Sequence, residues 1–183
     1  MPNERHILLL TGSLRAGSSN ETVLRTAAAL AAAAPGLRAT YYDGLAALPH
    51  FNPDQDTDPL PAAVTALRAA IEAADALLIC TPEYAGTLPG SFKNLLDWTV
   101  GGVEISDKPA AWINCANPGR GGGAEATLRT VLGYTGADIV DEACARIPLE
   151  RGAVGADGLI ADPRVRERIA GVLTRLAAAR PAA

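Results

Sequence analysis

The segment 11–22 concentrates residues that bind anions. It reads TGSLRAGSSNET and leads from an apolar run directly into a helical stretch. Gly12 and Gly17 allow a tight turn with accessible N–H groups, and Arg15 offers a planar guanidinium with several donors. The surrounding hydroxyl and amide groups can donate further hydrogen bonds: Ser13, Ser18, Ser19, Asn20 and Thr22. Because a helix N-terminus adds unpaired N–H groups and partial positive charge, this segment predicts a phosphate site.

The spacing of this loop narrows the kind of phosphate ligand. No Gly-Lys-Ser/Thr closes it, so it is not a Walker A loop, and its glycines lack the G-x-G-x-x-G spacing of dinucleotide sites. A ligand with a terminal monophosphate fits better. The same residues are also typical of a capped helix with a solvated arginine. The position after the first strand favours the phosphate interpretation.

A second segment, 81–98, has the composition of a ring-binding loop. It reads TPEYAGTLPGSFKNLLDW. Pro82 and Pro89 stiffen it, Gly86 permits close approach of the backbone, and Tyr84 is a flat side chain among small ones. We therefore expect a shelf for a planar heteroaromatic ring.

These loops follow strands in an alternating β/α pattern. Apolar runs predict strands at 7–11, 38–42, 76–81, 110–115 and 138–140, with a continuation of the last toward 147 left open. Helical patterns are predicted at 22–34, 60–74, 90–99, 124–136 and 163–179. The alternation is typical of an α/β fold in which a doubly wound parallel sheet carries helices on both faces. No linker divides the chain, so we predict one domain over 1–183.

Composition excludes several classes of protein. The chain has 183 residues, of which 49% are hydrophobic. Its net charge of -4 argues against a nucleic-acid surface. Its longest apolar stretch is far below the roughly 20 residues of a spanning helix, and we expect neither a signal peptide nor membrane association. We predict a cytoplasmic protein whose three cysteines are small core residues rather than metal ligands.

The two loops together resemble the NAD(P)H-dependent FMN reductase family, which includes chromate, quinone and azo-dye reductases. The family's first loop has the form G-S-x-R-x-x-S-x-N, matched here by Gly12, Ser13, Arg15, Ser18 and Asn20. Its second loop has the form P-E-Y-N/A-x-x-x-P-G-x-x-K-N-x-x-D-W. The matching residues are Pro82, Glu83, Tyr84, Ala85, Pro89, Gly90, Lys93, Asn94, Asp97 and Trp98. The resemblance spans roughly residues 7–132.

The resemblance implies a flavodoxin-like, five-stranded sheet of order 2-1-3-4-5, with FMN as cofactor and NADPH or NADH as co-substrate. The first loop, with Gly12, Ser13, Arg15, Ser18, Ser19 and Asn20, would hold the FMN phosphate. The ribityl chain and ring would be lined by Pro82, Glu83, Tyr84, Ala85 and Gly86. A looser match at 117–124 implies a glycine-rich loop beside the ring, with Pro118, Gly119, Arg120 and Gly121. Arg120 could meet nicotinamide-nucleotide phosphates or be an exposed loop arginine.

The implied activity needs no catalytic side chain or metal, because the flavin carries the chemistry. Hydride would pass from NAD(P)H through FMN to a small acceptor, such as a quinone, free flavin, chromate or an azo compound. The resemblance also implies a homodimer or homotetramer, in which Trp98 would anchor the partner subunit. For Glu83 we expect a hydrogen bond or ion pair within its own loop rather than a role as general base. A flavodoxin-type electron carrier and an FMN-binding redox-sensing module are the open alternatives.

Overall fold

A parallel β-sheet forms the centre of the computed structural model, which describes residues 4–150 and 152–179. Its longer strands are β1 (Arg5–Thr11), β2 (Leu37–Tyr42), β3 (Ala76–Cys80) and β4 (Pro109–Asn114). Two short strands follow, β5 (Asp138–Ile139) and β6 (Ala145–Arg146). The strands lie in the order β2-β1-β3-β4-β5, and β6 also pairs with β4. The pairs are parallel, which confirms the predicted topology.

The fifth strand position is occupied by two pieces rather than one. β5 pairs with Pro109 and Ala110 near the start of β4, and β6 pairs with Ile113 and Asn114 at its end. A 3₁₀ turn at Asp141–Ala143 separates them. The predicted fifth strand therefore lies where expected and continues past 140, but a turn interrupts its pairing.

Five helices cover the sheet: α1 (Ser19–Ala32), α2 (Ala62–Glu72), α3 (Gly90–Asp97), α4 (Gly122–Tyr134) and α5 (Pro163–Ala178). Apolar side chains of α1 and α5 pack on one face, and those of α2, α3 and α4 pack on the other. α1 begins at Ser19 rather than at 22 because the Ser18 hydroxyl caps it. α4 begins at Gly122 rather than at 124 and ends at Tyr134 rather than at 136.

Alternation along the central strands fills both layers of the core. Leu8 and Leu10 of β1 belong to the cluster under α2, α3 and α4, whereas Ile7 and Leu9 belong to the cluster under α1 and α5. β3 and β4 are buried along their whole length. Within the described ranges, no helix is both long and apolar enough to cross a membrane.

Trp98, the last residue of the second motif, is buried in the core of its own chain. The prediction that Trp98 anchors a partner subunit is therefore wrong. The Trp98 side chain is 0% exposed and packs edge-on against Phe51, with ring centroids 5.0 Å apart. Its Nε1 donates to the Pro49 carbonyl at 2.9 Å. Asn94 donates to the same carbonyl and accepts from the Phe51 N–H at 2.7 Å. These contacts attach segment 49–51 to α3. The homo-oligomer stays a prediction, and Trp98 is not part of its interface.

Candidate functional site

A cleft of about 390 Å³ opens at the carboxyl ends of β1, β3 and β4. Its volume lies within the range of small-molecule sites, about 300–1,000 Å³. The loops that follow these three strands meet here, as expected at the switch in strand order. The lining residues are Ser19, Asn20, Thr81, Pro82, Glu83, Cys115, Ala116, Asn117, Arg120, Gly121 and Leu149.

The β1–α1 loop lies against the end of β3 with no room for a side chain at Gly12. The Gly12 N–H donates to the Cys80 carbonyl at 3.0 Å. A Cβ on Gly12 would lie 2.0 Å from Oγ1 of Thr81 and 3.0 Å from its Cα. Gly12 therefore allows the two loops to meet edge to edge, which is a reason for the glycine independent of any ligand.

The first turn of α1 offers unpaired N–H groups to the cleft. Oγ of the capping residue Ser18 accepts from the Glu21 N–H at 3.2 Å. The N–H groups of Ser19 and Asn20 have no protein acceptor within the described residues, and both residues line the cleft. Since a helix N-terminus carries partial positive charge, this corner of the cleft suits an anion.

A carboxylate also lies near this helix start, and its charge is locally compensated. Oε2 of Glu21 accepts from the Gly17 N–H at 2.8 Å, and Oε1 accepts from Nε of Arg25 at 2.7 Å. The hydrogen bond from Arg25 is the main cause of the lowered pKa of Glu21. The ionised Glu21 thus occupies the Gly17 N–H, which is not available to a ligand.

Two predicted phosphate residues line a neighbouring cleft instead of the 390 Å³ cleft. Ser13 and Arg15 line a smaller cleft of about 210 Å³, together with Tyr41, Tyr42 and Asp43. The β1–α1 loop is therefore a ridge between two clefts. No ion pair or side-chain hydrogen bond within residues 4–150 and 152–179 engages the Arg15 guanidinium, so it is free to bind a ligand on the ridge.

The β3–α3 loop begins with a tight hairpin turn. The Tyr84 N–H donates to the Thr87 carbonyl at 3.0 Å, and the Thr87 N–H donates back at 3.1 Å. The central residues Ala85 and Gly86 have φ of 50° and 78°, which is the pattern of a type I′ turn. Because Asn tolerates positive φ better than Ala, this geometry favours Asn over Ala at position 85. Tyr84 is 55% exposed and does not line the cleft.

The turn makes Ala85→Asn a stabilising substitution. Left-handed backbone costs an ordinary L-residue about 1–2 kcal/mol, and Asn relieves part of that cost, so we expect the free energy of unfolding to rise by roughly 0.5–1 kcal/mol. Urea denaturation of the protein without added ligand measures it. Ala85→Val is the matched control and should lower stability, because a β-branched residue is strongly disfavoured at positive φ. A stability order of Val above Asn would contradict the turn assignment.

Glu83 joins the two walls of the cleft. Its Oε2 accepts from the Gly123 N–H at 2.7 Å and the Ala124 N–H at 3.1 Å, at the start of α4. The predicted hydrogen bond exists, but its partner is the next loop rather than Glu83's own loop. The reason is that parallel strands β3 and β4 bring the two loops side by side, where a carboxylate stabilises the positive end of α4.

The backbone at Gly123 sets the spacing between these walls. A Cβ there would lie 2.1 Å from the carbonyl oxygen of Gly86 and 3.0 Å from Oε2 of Glu83. Only a glycine permits this approach without movement of the backbone. The distance between the β3–α3 loop and the start of α4 is therefore fixed by main-chain contacts.

The β4–α4 loop supplies the other wall through a turn at residues 117–120. The Arg120 N–H donates to the Asn117 carbonyl at 3.0 Å, and Gly119 and Gly121 have φ of 80° and 81°. Arg120 and Gly121 line the cleft, as predicted. Pro118 and Gly119 form the exposed turn outside the lining.

Part of the lining lies outside the predicted site residues. Six predicted residues line the cleft: Ser19, Asn20, Pro82, Glu83, Arg120 and Gly121. The lining residues that were not predicted are Thr81, Cys115, Ala116, Asn117 and Leu149. The prediction that the cysteines are small core residues is confirmed for Cys80 at 0% exposure and for Cys115 at 7%, and Cys115 also lines the cleft. The position of Cys115 directly after the buried strand β4 is the sequence feature that indicates a place at the cleft.

The chain matches the family model described as NADPH-dependent FMN reductase over residues 5–148. It belongs to this family. An NAD(P)H-dependent FMN reductase of Pseudomonas aeruginosa is 35% identical over 173 residues, 92% of this chain and 91% of the relative. A quinone reductase of Escherichia coli is 34% identical over 149 residues, 78% of this chain and 77% of the relative.

A solved structure of this reductase class has the same fold. FerB, a flavoenzyme NAD(P)H:(acceptor) oxidoreductase from Paracoccus denitrificans, superposes with a TM-score of 0.80 at 31% identity, covering 94% of this chain and 95% of FerB. Family membership confirms the predicted flavodoxin-like fold and the predicted enzyme class. The protein is therefore an oxidoreductase that uses FMN and a reduced nicotinamide nucleotide.

Proposed function

We propose that FMN binds in the 390 Å³ cleft and that the protein reduces quinones with NAD(P)H. The observation that carries this proposal is the pair of unpaired N–H groups, on Ser19 and Asn20, that open into a cleft between two backbone walls. An anion-binding corner joined to a cleft of this volume suits a monophosphate attached to a ring system.

The phosphate would bind at the start of α1, on the ridge between the two clefts. Ser19 and Asn20 would donate their N–H groups, and Arg15 would reach over the ridge to add a charge-assisted hydrogen bond. Ser13 lies on the same side as Arg15. Ser18 acts through the helix, since its hydroxyl is occupied as the cap.

The ring would lie between the β3–α3 loop and the β4–α4 loop. Pro82 and Glu83 form one wall and Arg120 and Gly121 form the other. The hairpin of Tyr84, Ala85 and Gly86 lies outside the lining of the cleft, and so does the turn of Pro118 and Gly119. These residues would contact the ring edge or a second substrate. Arg120 has no salt-bridge partner within the described residues, which supports a role in pairing with a phosphate of the nicotinamide nucleotide.

The acceptor is inferred from the relatives. When bound, FMN would supply the redox chemistry, which moves hydride from the reduced nicotinamide and electrons to the acceptor. The protein's part is to orient both partners at one open face. A quinone is the acceptor proposed here because the Escherichia coli relative is named a quinone reductase. Free flavin, chromate and azo compounds are further acceptors within the same proposal.

An anaerobic titration tests the proposal directly. Purified protein with added FMN should show a protein-bound flavin spectrum, because the cleft and its anion corner are already formed. NADPH or NADH should bleach that spectrum within the time of a stopped-flow experiment, and 1,4-benzoquinone should restore it. A flavin that stays oxidised with both nucleotides would favour the electron-carrier alternative. A failure to bind FMN would refute the assignment of the cleft.

A further inference from the structure

Two thiols and an amide meet at the floor of the cleft. Sγ of Cys80 and Sγ of Cys115 are 3.9 Å apart, within hydrogen-bonding distance for two sulfurs. Oδ1 of Asn20 lies 3.4 Å from Sγ of Cys80 and 3.5 Å from Sγ of Cys115. Because a thiol has one hydrogen, Cys80 donates it either to Asn20 or to Cys115. We call these residues the thiol–amide cluster. It brings together the end of β3, the residue after β4 and the first turn of α1.

The cluster determines which end of the Asn20 amide faces the cleft. Asn20 is 8% exposed and lines the cleft, and its Oδ1 lies within hydrogen-bonding distance of both thiols. Its Nδ2 group has no acceptor among the described residues. An amide whose oxygen faces the thiol donors presents its NH₂ group to a ligand. Asn20 is therefore held as a hydrogen-bond donor.

The two thiols differ in character. Cys80 is fully buried, and burial raises the pKa of its thiol well above the usual value. A hydrogen bond from Cys80 lowers the pKa of the Cys115 thiol, which reaches the cleft. Thiolate character and access are what make a cysteine oxidisable, and a neighbouring thiol can resolve the first product. The cluster supplies all three.

We propose that Cys80 and Cys115 form an oxidisable dithiol whose oxidation loosens Asn20 and weakens cofactor binding. The Cys115 thiolate attacks a peroxide, giving a sulfenic acid and releasing hydroxide. The Cys80 thiol then displaces the sulfenic oxygen as water, so that a disulfide forms and the peroxide receives both electrons. The sulfurs must shorten their 3.9 Å separation to about 2.05 Å.

Disulfide formation would remove both thiol hydrogens, and with them every donor that the two cysteines offer to Oδ1 of Asn20. Its amide could then turn freely, and its NH₂ group would no longer be aimed at the ligand. The loss of one oriented neutral hydrogen bond corresponds to about a 3- to 10-fold weaker affinity. This consequence depends on the proposed FMN site, whereas the thiol chemistry does not.

Peroxide treatment of the FMN-loaded protein tests both parts. We expect hydrogen peroxide, followed by alkylation of free thiols, to give a peptide cross-linked between Cys80 and Cys115 in a non-reducing mass-spectrometric map. Equilibrium dialysis should show the weaker FMN affinity, and dithiothreitol should reverse both changes. Cys144→Ser is the matched control and should behave as the parent does. The third cysteine lies outside both clefts, and burial raises its pKa to about 11.

Cys115→Ser distinguishes the effect of oxidation from any structural effect of the substitution. The FMN affinity of this variant after peroxide treatment is compared with its own affinity before treatment. Peroxide should leave the FMN affinity of this variant unchanged, whatever its starting value. A parent protein that binds FMN but yields no cross-link, or only over-oxidised Cys115, overturns the proposal and leaves the FMN site intact. A cross-link without any change in FMN affinity overturns the role given to Asn20. A protein that never binds FMN refutes the proposed function itself.

Discussion

Gly123→Ala is expected to disrupt the cleft, with losses in both stability and FMN binding. The added Cβ would lie 2.1 Å from the Gly86 carbonyl oxygen, and that oxygen belongs to the backbone and cannot rotate away. Overpacking of this kind costs about 1–3 kcal/mol in free energy of unfolding. The β3–α3 loop and the start of α4 must separate, so the two hydrogen bonds to Glu83 should lengthen. We expect FMN affinity to fall by about tenfold or more, an order of magnitude for each 1.4 kcal/mol.

Gly122→Ala is the matched control at the neighbouring position. A Cβ on Gly122 would find only Nη2 of Arg146 at 3.7 Å, which is ordinary contact. Since Gly122 is the first residue of α4, Ala there should be neutral or stabilise by up to about 1 kcal/mol. Thermal unfolding and fluorescence titration with FMN measure both variants. Equal effects of the two substitutions would show that Gly123 does not set the spacing of the walls.

Arg15→Ala should weaken FMN binding without weakening the fold. Its guanidinium has no ion-pair partner in the described ranges, so its removal leaves no buried charge unpaired. A hydrogen bond to a charged group contributes about 1.5–3 kcal/mol, which corresponds to an affinity loss of about 10- to 150-fold. Isothermal titration with FMN and with riboflavin measures it. The loss should vanish for riboflavin, which has no phosphate.

Two controls distinguish a specific contact from a general change in charge. Arg15→Lys keeps the charge but not the planar fork, and should recover only part of the affinity. Arg38 lies on β2 and forms an exposed ion pair with Glu4. The Arg38→Ala variant should bind FMN as the parent does. If Arg15→Ala lowers riboflavin affinity as much as FMN affinity, the assignment of Arg15 to the phosphate is wrong.

The fold was largely predictable because its signals are local. Fully apolar runs predicted β3 and β4, and both are buried throughout. The start of α1 was placed too late, at 22, because the cap at Ser18 lies inside a segment that also suits a phosphate loop. The 3₁₀ interruption before β6 was not predictable, since it depends on pairing with the end of β4.

The site was predictable in position and less so in detail. Motif spacing located all three loops, but not which side of a loop each residue faces. Arg15 and Asn20 are five positions apart and lie in different clefts, because the loop between them is a ridge. Glu83 binds a neighbouring loop, and Trp98 is buried in its own chain, because of contacts between segments distant in sequence. Such contacts leave no local pattern.

The bond from Glu83 to the start of α4 has a consequence for selectivity. Two walls held together by main-chain contacts form a gap whose width does not depend on what enters it. Such a gap discriminates by molecular thickness and flatness, and much less by the functional groups a molecule carries. Little ordering is needed on entry, so chemically unrelated flat molecules should differ modestly in affinity. Tolerance toward many acceptors would then follow from the Glu83 carboxylate and the Gly86–Gly123 contact, which together fix the two loops.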